Sequence, residues 1–235
     1  MRKALITGGT GAIGRAVIEE LADLGVEGYF TYHSNNELAG ELEKKYPFRS
    51  VKLDFREPVS LRDKVKALFV KELTPDILIH CAGIGESKSI TEISHEDWLG
   101  VCAVNAQSVF LIIQELVPKL IKARQGDIIL LGALDRCQSI KLPVHYSVSQ
   151  GMLSSMAMAV AKELGSHNIK INMVASGLLD SGLSSHFDDS LHQDYLKYSC
   201  LKRKGKAHEV AAFVSWLAMN NTYISGKVIP VNGGI

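Results

Sequence analysis

Cysteine is scarce, and what there is has no metal-like spacing. Cys81, Cys102, Cys137 and Cys200 form no C-x-x-C pair. That excludes the usual zinc and dithiol-redox motifs. Cys81 and Cys102 fall in apolar segments, where a free thiol acts as a small hydrophobe. Reduced thiols and a cytoplasmic location are the expectation. Charge of one sign is also lacking: 26 Lys plus Arg against 25 Asp plus Glu leaves a formal net of +1. Nothing in that balance draws a nucleic acid or an anionic membrane as partner. The apolar stretch at the N-terminus is too short for a signal peptide, and no run is read as a membrane span. No internal repeat and no low-complexity tract is visible.

What the chain has instead is alternation. Its 235 residues are 46% hydrophobic and 22% charged, and a chain of this length buries enough surface to need no staple. One domain, residues 1–235, is expected. Short, β-branched, nearly unbroken apolar runs occur at 4–7, 26–31, 49–53, 77–80, 127–131, 170–174 and 228–231. Unbroken hydrophobicity in a short run is how a strand buried on both faces reads. Between them lie helix-like segments at about 13–24, 37–45, 61–73, 96–123, 144–165 and 208–219. Ser94 with Asp97 three residues on marks a helix start. Strict alternation with right-handed crossovers predicts an α/β fold, a doubly wound parallel sheet with helices on both faces. Residues 176–206 break the alternation and are read as a loop or lid over the ligand crevice.

The first strand runs into Thr7-Gly8-Gly9-Thr10-Gly11-Ala12-Ile13-Gly14 and then a helix. Glycines there allow positive φ and close approach of a pyrophosphate. The helix N-terminus behind them offers free N–H groups to that anion. A glycine-rich turn between a strand and a helix is the context that gives such a motif meaning.

This turn resembles the T-G-x-x-x-G-x-G turn of the short-chain dehydrogenase/reductases, with Ala12 in place of the middle glycine. Further landmarks follow in order. Asp54 matches the acid that contacts adenine. His80-Cys81-Ala82-Gly83 is similar to N-N-A-G, with both asparagines replaced. Asn105 matches the asparagine of the long helix, and Tyr146 the catalytic tyrosine. Asn172 falls near the family's I-x-V-N-x-V strand. The segment from Ile224 to Gly234 resembles the closing strand and V-D-G-G. By length and ending, β-ketoacyl-carrier-protein reductases are the nearest subgroup.

The resemblance implies seven strands in the order 3-2-1-4-5-6-7, with a nicotinamide dinucleotide across the switch point. It assigns Gly8, Thr10, Gly11, Ile13, Gly14, Asp54, Ala82, Gly83, Tyr146 and Gln150 to the cofactor. The second strand ends Thr31-Tyr32-His33-Ser34-Asn35, without the acid that NAD-preferring members place there. NADP is therefore favoured over NAD, with His33, Ser34 and Asn35 as donors to its 2′-phosphate.

The catalytic pattern is incomplete. Thirteen residues before Tyr146, where the family has serine, stands Ala133; four after it, where the family has lysine, stands Gln150. Lys162 is sixteen residues on, roughly 24 Å along a helix, and Lys141 is upstream. Ser139 is in a loop, and Ser147 and Ser149 flank the helix face. Ser176 replaces the proline of the family's P-G turn. Three readings stay open. The chain is an NAD(P)H-dependent reductase of a carbonyl, including carrier-bound 3-oxoacyl or polyketide substrates, with Tyr146 as acid, Asn105 as relay and Gln150 on the ribose. Or it is an inactive partner subunit of an active paralogue. Or it performs dehydration or isomerisation with Tyr146 and His145 or Asp135, although His145 also reads as a solvated helix-start residue. The assembly implied is a dimer or tetramer, homomeric or with that paralogue.

Overall fold

The computed structural model describes residues 2–71, 74–133 and 142–235. Seven strands lie in one sheet: β1 (Lys3–Thr7), β2 (Glu27–Tyr32), β3 (Phe48–Lys52), β4 (Ile77–His80), β5 (Gly126–Ala133), β6 (Ile169–Ser176) and β7 (Val228–Val231). Their order is β3-β2-β1-β4-β5-β6-β7 and every pairing is parallel. Among the described residues eight α-helices connect them: α1 (Ala12–Asp23), α2 (Asn36–Lys45), α3 (Pro58–Lys71), α4 (His95–Cys102), α5 (Ser108–Ala123), α6 (Val144–Leu164), α7 (Asp189–Tyr198) and α8 (Ala207–Asn220).

The unbroken strands read as they do because both faces are covered. Leu5, Leu78, Ile128, Leu130, Ile171 and Met173 pack with Val65 of α3, Ile112 and Leu116 of α5 and Leu153 of α6. Their strand neighbours Ala4, Ile6, Ile77, Ile79, Ile129 and Val174 face the other way, onto Val17 and Leu21 of α1 and Val214 and Leu217 of α8. Successive strand residues alternate faces, so each layer takes every second side chain. At the end of the sheet away from the turn, Arg2 bridges Asp76 (2.9 Å) and Asp127 (2.7 Å), and Lys170 joins Asp127 at 3.1 Å.

Three features differ from expectation. The segment read as one helix over 96–123 is interrupted by a π-helical turn, Ala103–Gln107, between α4 and α5. Single π turns inside α-helices mark functional positions more often than chance. The stretch read as an irregular loop, 176–206, contains a 3₁₀ turn (Gly182–His186) and α7. Its signal was thin: only Leu191 and Tyr195, four apart, are buried in α7. Finally, the helix from His95 to Ala123 is long and apolar enough to cross a membrane, contrary to the expectation that no run qualifies. Here 56% of its most apolar window is buried inside the fold. The Ser94 cap is present as read: its hydroxyl accepts from Asp97 N (3.0 Å), and the Asp97 carboxylate accepts from Ser94 N (3.0 Å).

Candidate active site

A two-lobed cleft opens at the C-terminal ends of the strands. One lobe, about 230 Å³, is lined by Gly8, Thr10, His33, Asp54 and Arg56. The other, about 180 Å³, is lined by Ile13, Gly14, Asn105, Ala133, Tyr146 and Gln150, with Phe187 from the segment after β6. Gly11, Cys81, Ala82 and Gly83 line both, so the lobes meet at the turn after β1. This is the crevice beyond the carboxyl ends of the strands where doubly wound sheets take ligands.

The turn is built by backbone contact. Gly8 sits at φ 66°, and a Cβ there would meet Ala82 Cα at 2.8 Å. A Cβ on Gly14 would come 2.2 Å from Gly8 O. Both glycines let α1 start tight against β1. Ala12 is tolerated because its φ is negative, within the helix. Gly11, at the helix N-cap, has no side chain to occupy the first N–H groups, and no acid sits in the first turn. Those N–H groups fit a pyrophosphate. The residues present therefore suit a dinucleotide, with its phosphates on α1.

In the first lobe the expected donors separate. His33 lines it and lies 3.5 Å from Asp54 Oδ2. Ser34 and Asn35 do not line it, and the Asn35 carbonyl caps α2 by accepting from Leu38 N at 3.1 Å. Sequence reasoning missed Arg56, which turns in from beyond β3, its own N–H bonded to Asp54 Oδ1 at 2.9 Å. Its place two residues after Asp54 was the available signal.

In the second lobe, Tyr146 is 6% exposed. The Phe187 ring meets it edge-on at 5.5 Å, and Gly85 passes close enough that a Cβ would lie 2.9 Å from Tyr146 Cδ2. Burial pushes the phenol above its ordinary value, and no charged partner among the described residues offsets that. Asn105 sits in the π turn. Its Nδ2 donates to Ile84 O (2.9 Å) and Ser149 Oγ (3.0 Å), and its Oδ1 accepts from Ile84 N (2.8 Å). Gln150 is buried. Its Oε1 accepts from Ala133 N at 3.0 Å and its Nε2 lies 3.3 Å from Ser149 Oγ. Ser149 in turn donates to Tyr146 O at 2.7 Å. Gln150 on α6 is thus tied to Ala133 at the end of β5. Lys141, Ser139, Asp135 and Cys137 lie outside the described residues.

His145 differs from its solvated reading, and His80 is buried as well. His145 is not solvated: it is 1% exposed, with no partner for Nδ1 among the described residues, and burial lowers its pKa. His80, in the first asparagine position, is fully buried and stacks on Phe55 at 6.4 Å. Its Nδ1 shares a hydrogen bond with Thr7 Oγ1 at 2.8 Å, and Thr7 Oγ1 also accepts from Ala82 N at 3.1 Å. Burial pushes His80 down to about 4. Cys81 beside it has a thiol pushed up by burial, so it stays protonated. Asn172 pins β6 to the closing turn, through Ile224 O (2.9 Å) and Lys227 N (3.1 Å).

The segment after β6 supplies the roof. Leu178, Leu183, Ser184 and Phe187 line the second lobe. Gly182 rests on the glycine-rich turn, where a Cβ would lie 2.9 Å from Ala12 Cβ. Tyr195 anchors α7 to the C-terminal segment through Asn232 O at 2.7 Å.

Residues 9–235 match the family model described as "Enoyl-(Acyl carrier protein) reductase". The chain is 31% identical to 3-oxoacyl-acyl-carrier-protein reductase FabG of Buchnera aphidicola subsp. Acyrthosiphon pisum, covering 99% of this chain and 96% of that one. It is 32% identical to Nodulation protein G of Rhizobium sp. (strain N33), over 100% and 96%. Among solved structures, a short-chain dehydrogenase/reductase from Serratia marcescens BCRC 10948 superposes with a TM-score of 0.87 at 26% identity, covering 99% of this chain and 97% of that one.

Proposed function

Because the chain belongs to the short-chain dehydrogenase/reductase family, we propose that it is an NADPH-dependent carbonyl reductase acting on a 3-oxoacyl thioester. The buried, neutral Tyr146 at the end of a dinucleotide-shaped cleft carries this reading. Bound dinucleotide supplies a hydride to the carbonyl carbon. The N-terminus of α1 holds the phosphates, and Arg56 with His33 receives a 2′-phosphate. Tyr146 gives the proton to the carbonyl oxygen. An unperturbed phenol is ionised about one part in a thousand at pH 7, and burial lowers that fraction further. Reduction needs the phenol protonated and oxidation needs it ionised. The reaction therefore runs as a reduction. The relatives' names point to carrier-bound substrates, and a cytoplasmic, oligomeric enzyme fits with them.

A second reading has one observation in its favour. Both polar ends of the Asn105 amide and the Gln150 carbonyl are spent on the protein itself. A dinucleotide-binding partner subunit of an active paralogue needs no relay. Its pairing face would be α5 and α6, where Phe110 is 47% and Met152 41% exposed.

The test is NADPH oxidation with a 3-oxoacyl N-acetylcysteamine thioester, beside the Ala133→Ser/Gln150→Lys pair and Tyr146→Phe. We expect slow turnover by the wild type, loss in Tyr146→Phe, and faster turnover in the pair, where a lysine replaces the uncharged Gln150 beside Tyr146. Turnover that survives Tyr146→Phe refutes Tyr146 as the proton donor, and absence of turnover in both the wild type and the pair refutes the reductase reading. Activity confined to the pair establishes the partner-subunit reading in its place.

A further inference from the structure

The catalytic lobe lacks a hydroxyl at position 133, but one stands on the adjoining strand. Ala133 and Ser176 are the last residues of β5 and β6 and are register partners in the parallel ladder. Parallel partners project their Cβ atoms to the same face, about 4.8 Å apart. Both residues line the lobe that holds Tyr146 and Gln150. The position that carries proline in the family's P-G turn here carries a hydrogen-bond donor. Ser176 Oγ donates to Gly132 O at 3.1 Å, and Gly132 lines the same lobe. The hydroxyl proton turns about the Cβ–Oγ bond without moving the oxygen, so it can leave Gly132 for an incoming acceptor.

The other described hydroxyls of the lobe are placed differently. Ser184 lies on the segment after β6 and accepts from Leu179 N at 2.9 Å. Ser181 donates to its neighbour Asp180 at 3.2 Å. Ser149 does not line the lobe, and its proton goes to Tyr146 O.

We infer that Ser176 hydrogen-bonds the substrate's carbonyl oxygen, the hydroxyl having moved from the end of β5 to the end of β6. This rests on the reductase reading of the cleft. Ser176 transfers no proton. It donates a hydrogen bond to the oxygen as negative charge develops there, and Tyr146 Oη supplies the proton that completes the alcohol. Three departures from the family pattern then become one arrangement: Ala133 leaves room, Gln150 occupies the exposed Ala133 N–H, and Ser176 provides the donor.

Two readouts test it. The first is the infrared C=O stretch of a 3-oxoacyl N-acetylcysteamine thioester, ¹³C-labelled at the keto carbon and bound without dinucleotide. Wild type should lower that frequency, Ser176→Ala should abolish the lowering, and Ser176→Thr should restore it. The second is steady-state turnover. Ser176→Ala should lower kcat on the order of 10²-fold, with KM for NADPH and thermal midpoint unchanged. In an Ala133→Ser background the same change should cost less than about threefold, since either hydroxyl then serves. Turnover and carbonyl frequency insensitive to Ser176→Ala overturn the inference while leaving the reductase reading standing. So does the same loss arising from Ser184→Ala instead, or an undiminished loss in the Ala133→Ser background. A Ser176-dependent carbonyl shift without turnover supports the inference and sinks the reductase reading. Absence of both overturns both.

Discussion

Replacing His80 by asparagine should change how stability depends on pH. The imidazole is fully buried at the end of β4, stacked on Phe55, with Nε2 unpartnered among the described residues. Burial lowers its pKa from 6.5 to about 4, a depression only partly offset by the Asn105 backbone. Between those two values the unfolded chain binds a proton that the folded chain refuses. Stability therefore falls as pH drops from about 6.5 towards about 4, and this contribution is flat outside that window. At about 1.36 kcal/mol per pH unit, the loss across the window is roughly 3 kcal/mol. Asparagine carries no titrating group and can still bond Thr7 Oγ1. Urea unfolding from pH 7.5 to 4 for both proteins gives the answer, because the carboxylates common to both cancel in the difference. The gap between wild type and His80→Asn should shift by roughly 3 kcal/mol over that range, in favour of the variant at low pH. Parallel stability curves would show that His80 is not held neutral by burial.

Two further changes test the cofactor side. Arg56→Ser should weaken NADPH binding about tenfold, the worth of one charged hydrogen bond, and leave NADH unchanged in a fluorescence titration; equal weakening of both would remove Arg56 from the 2′-phosphate. Gly14→Ala puts a methyl group against Gly8 O and should cost about 1–3 kcal/mol in urea unfolding, together with dinucleotide affinity. Gly40→Ala, on the open face of α2 with nothing within 4 Å, should instead gain about 0.5–1 kcal/mol; loss in both would show that the turn is not special.

Much of the scaffold was legible because burial on two faces writes a plain signature. Ile77–His80 and the run Ile128–Leu131 in β5 are nearly continuous in apolar residues, as strands covered on both faces are. The glycine-rich turn was legible from its place between a strand and a helix, and Tyr146 was singled out only through the family resemblance. Arg56 was not, because only the tertiary fold brings the end of β3 beside the end of β2. The α7 helix was not, because ten residues with two buried side chains give no period to count. Burial of His145 was not, because a histidine at a helix start reads as exposed until α4 is packed against it. Position in sequence told which residues stand at the family's catalytic places. It did not tell which of their polar atoms remain free.

That last distinction bears on how the site would be repaired. Gln150 is more than a missing charge. Its carbonyl is the acceptor for Ala133 N–H at the end of β5, and its amide reaches Ser149, which also holds Asn105. A lysine at 150 has three donors and no acceptor. Alone, it would leave the Ala133 N–H unpaired and bring a cation beside it, at a cost of about 1–3 kcal/mol for the orphaned group. Serine at 133 puts a hydroxyl oxygen within reach of both. The two positions are thus coupled through one hydrogen bond, and their reversions should not add: Gln150→Lys should yield little without Ala133→Ser.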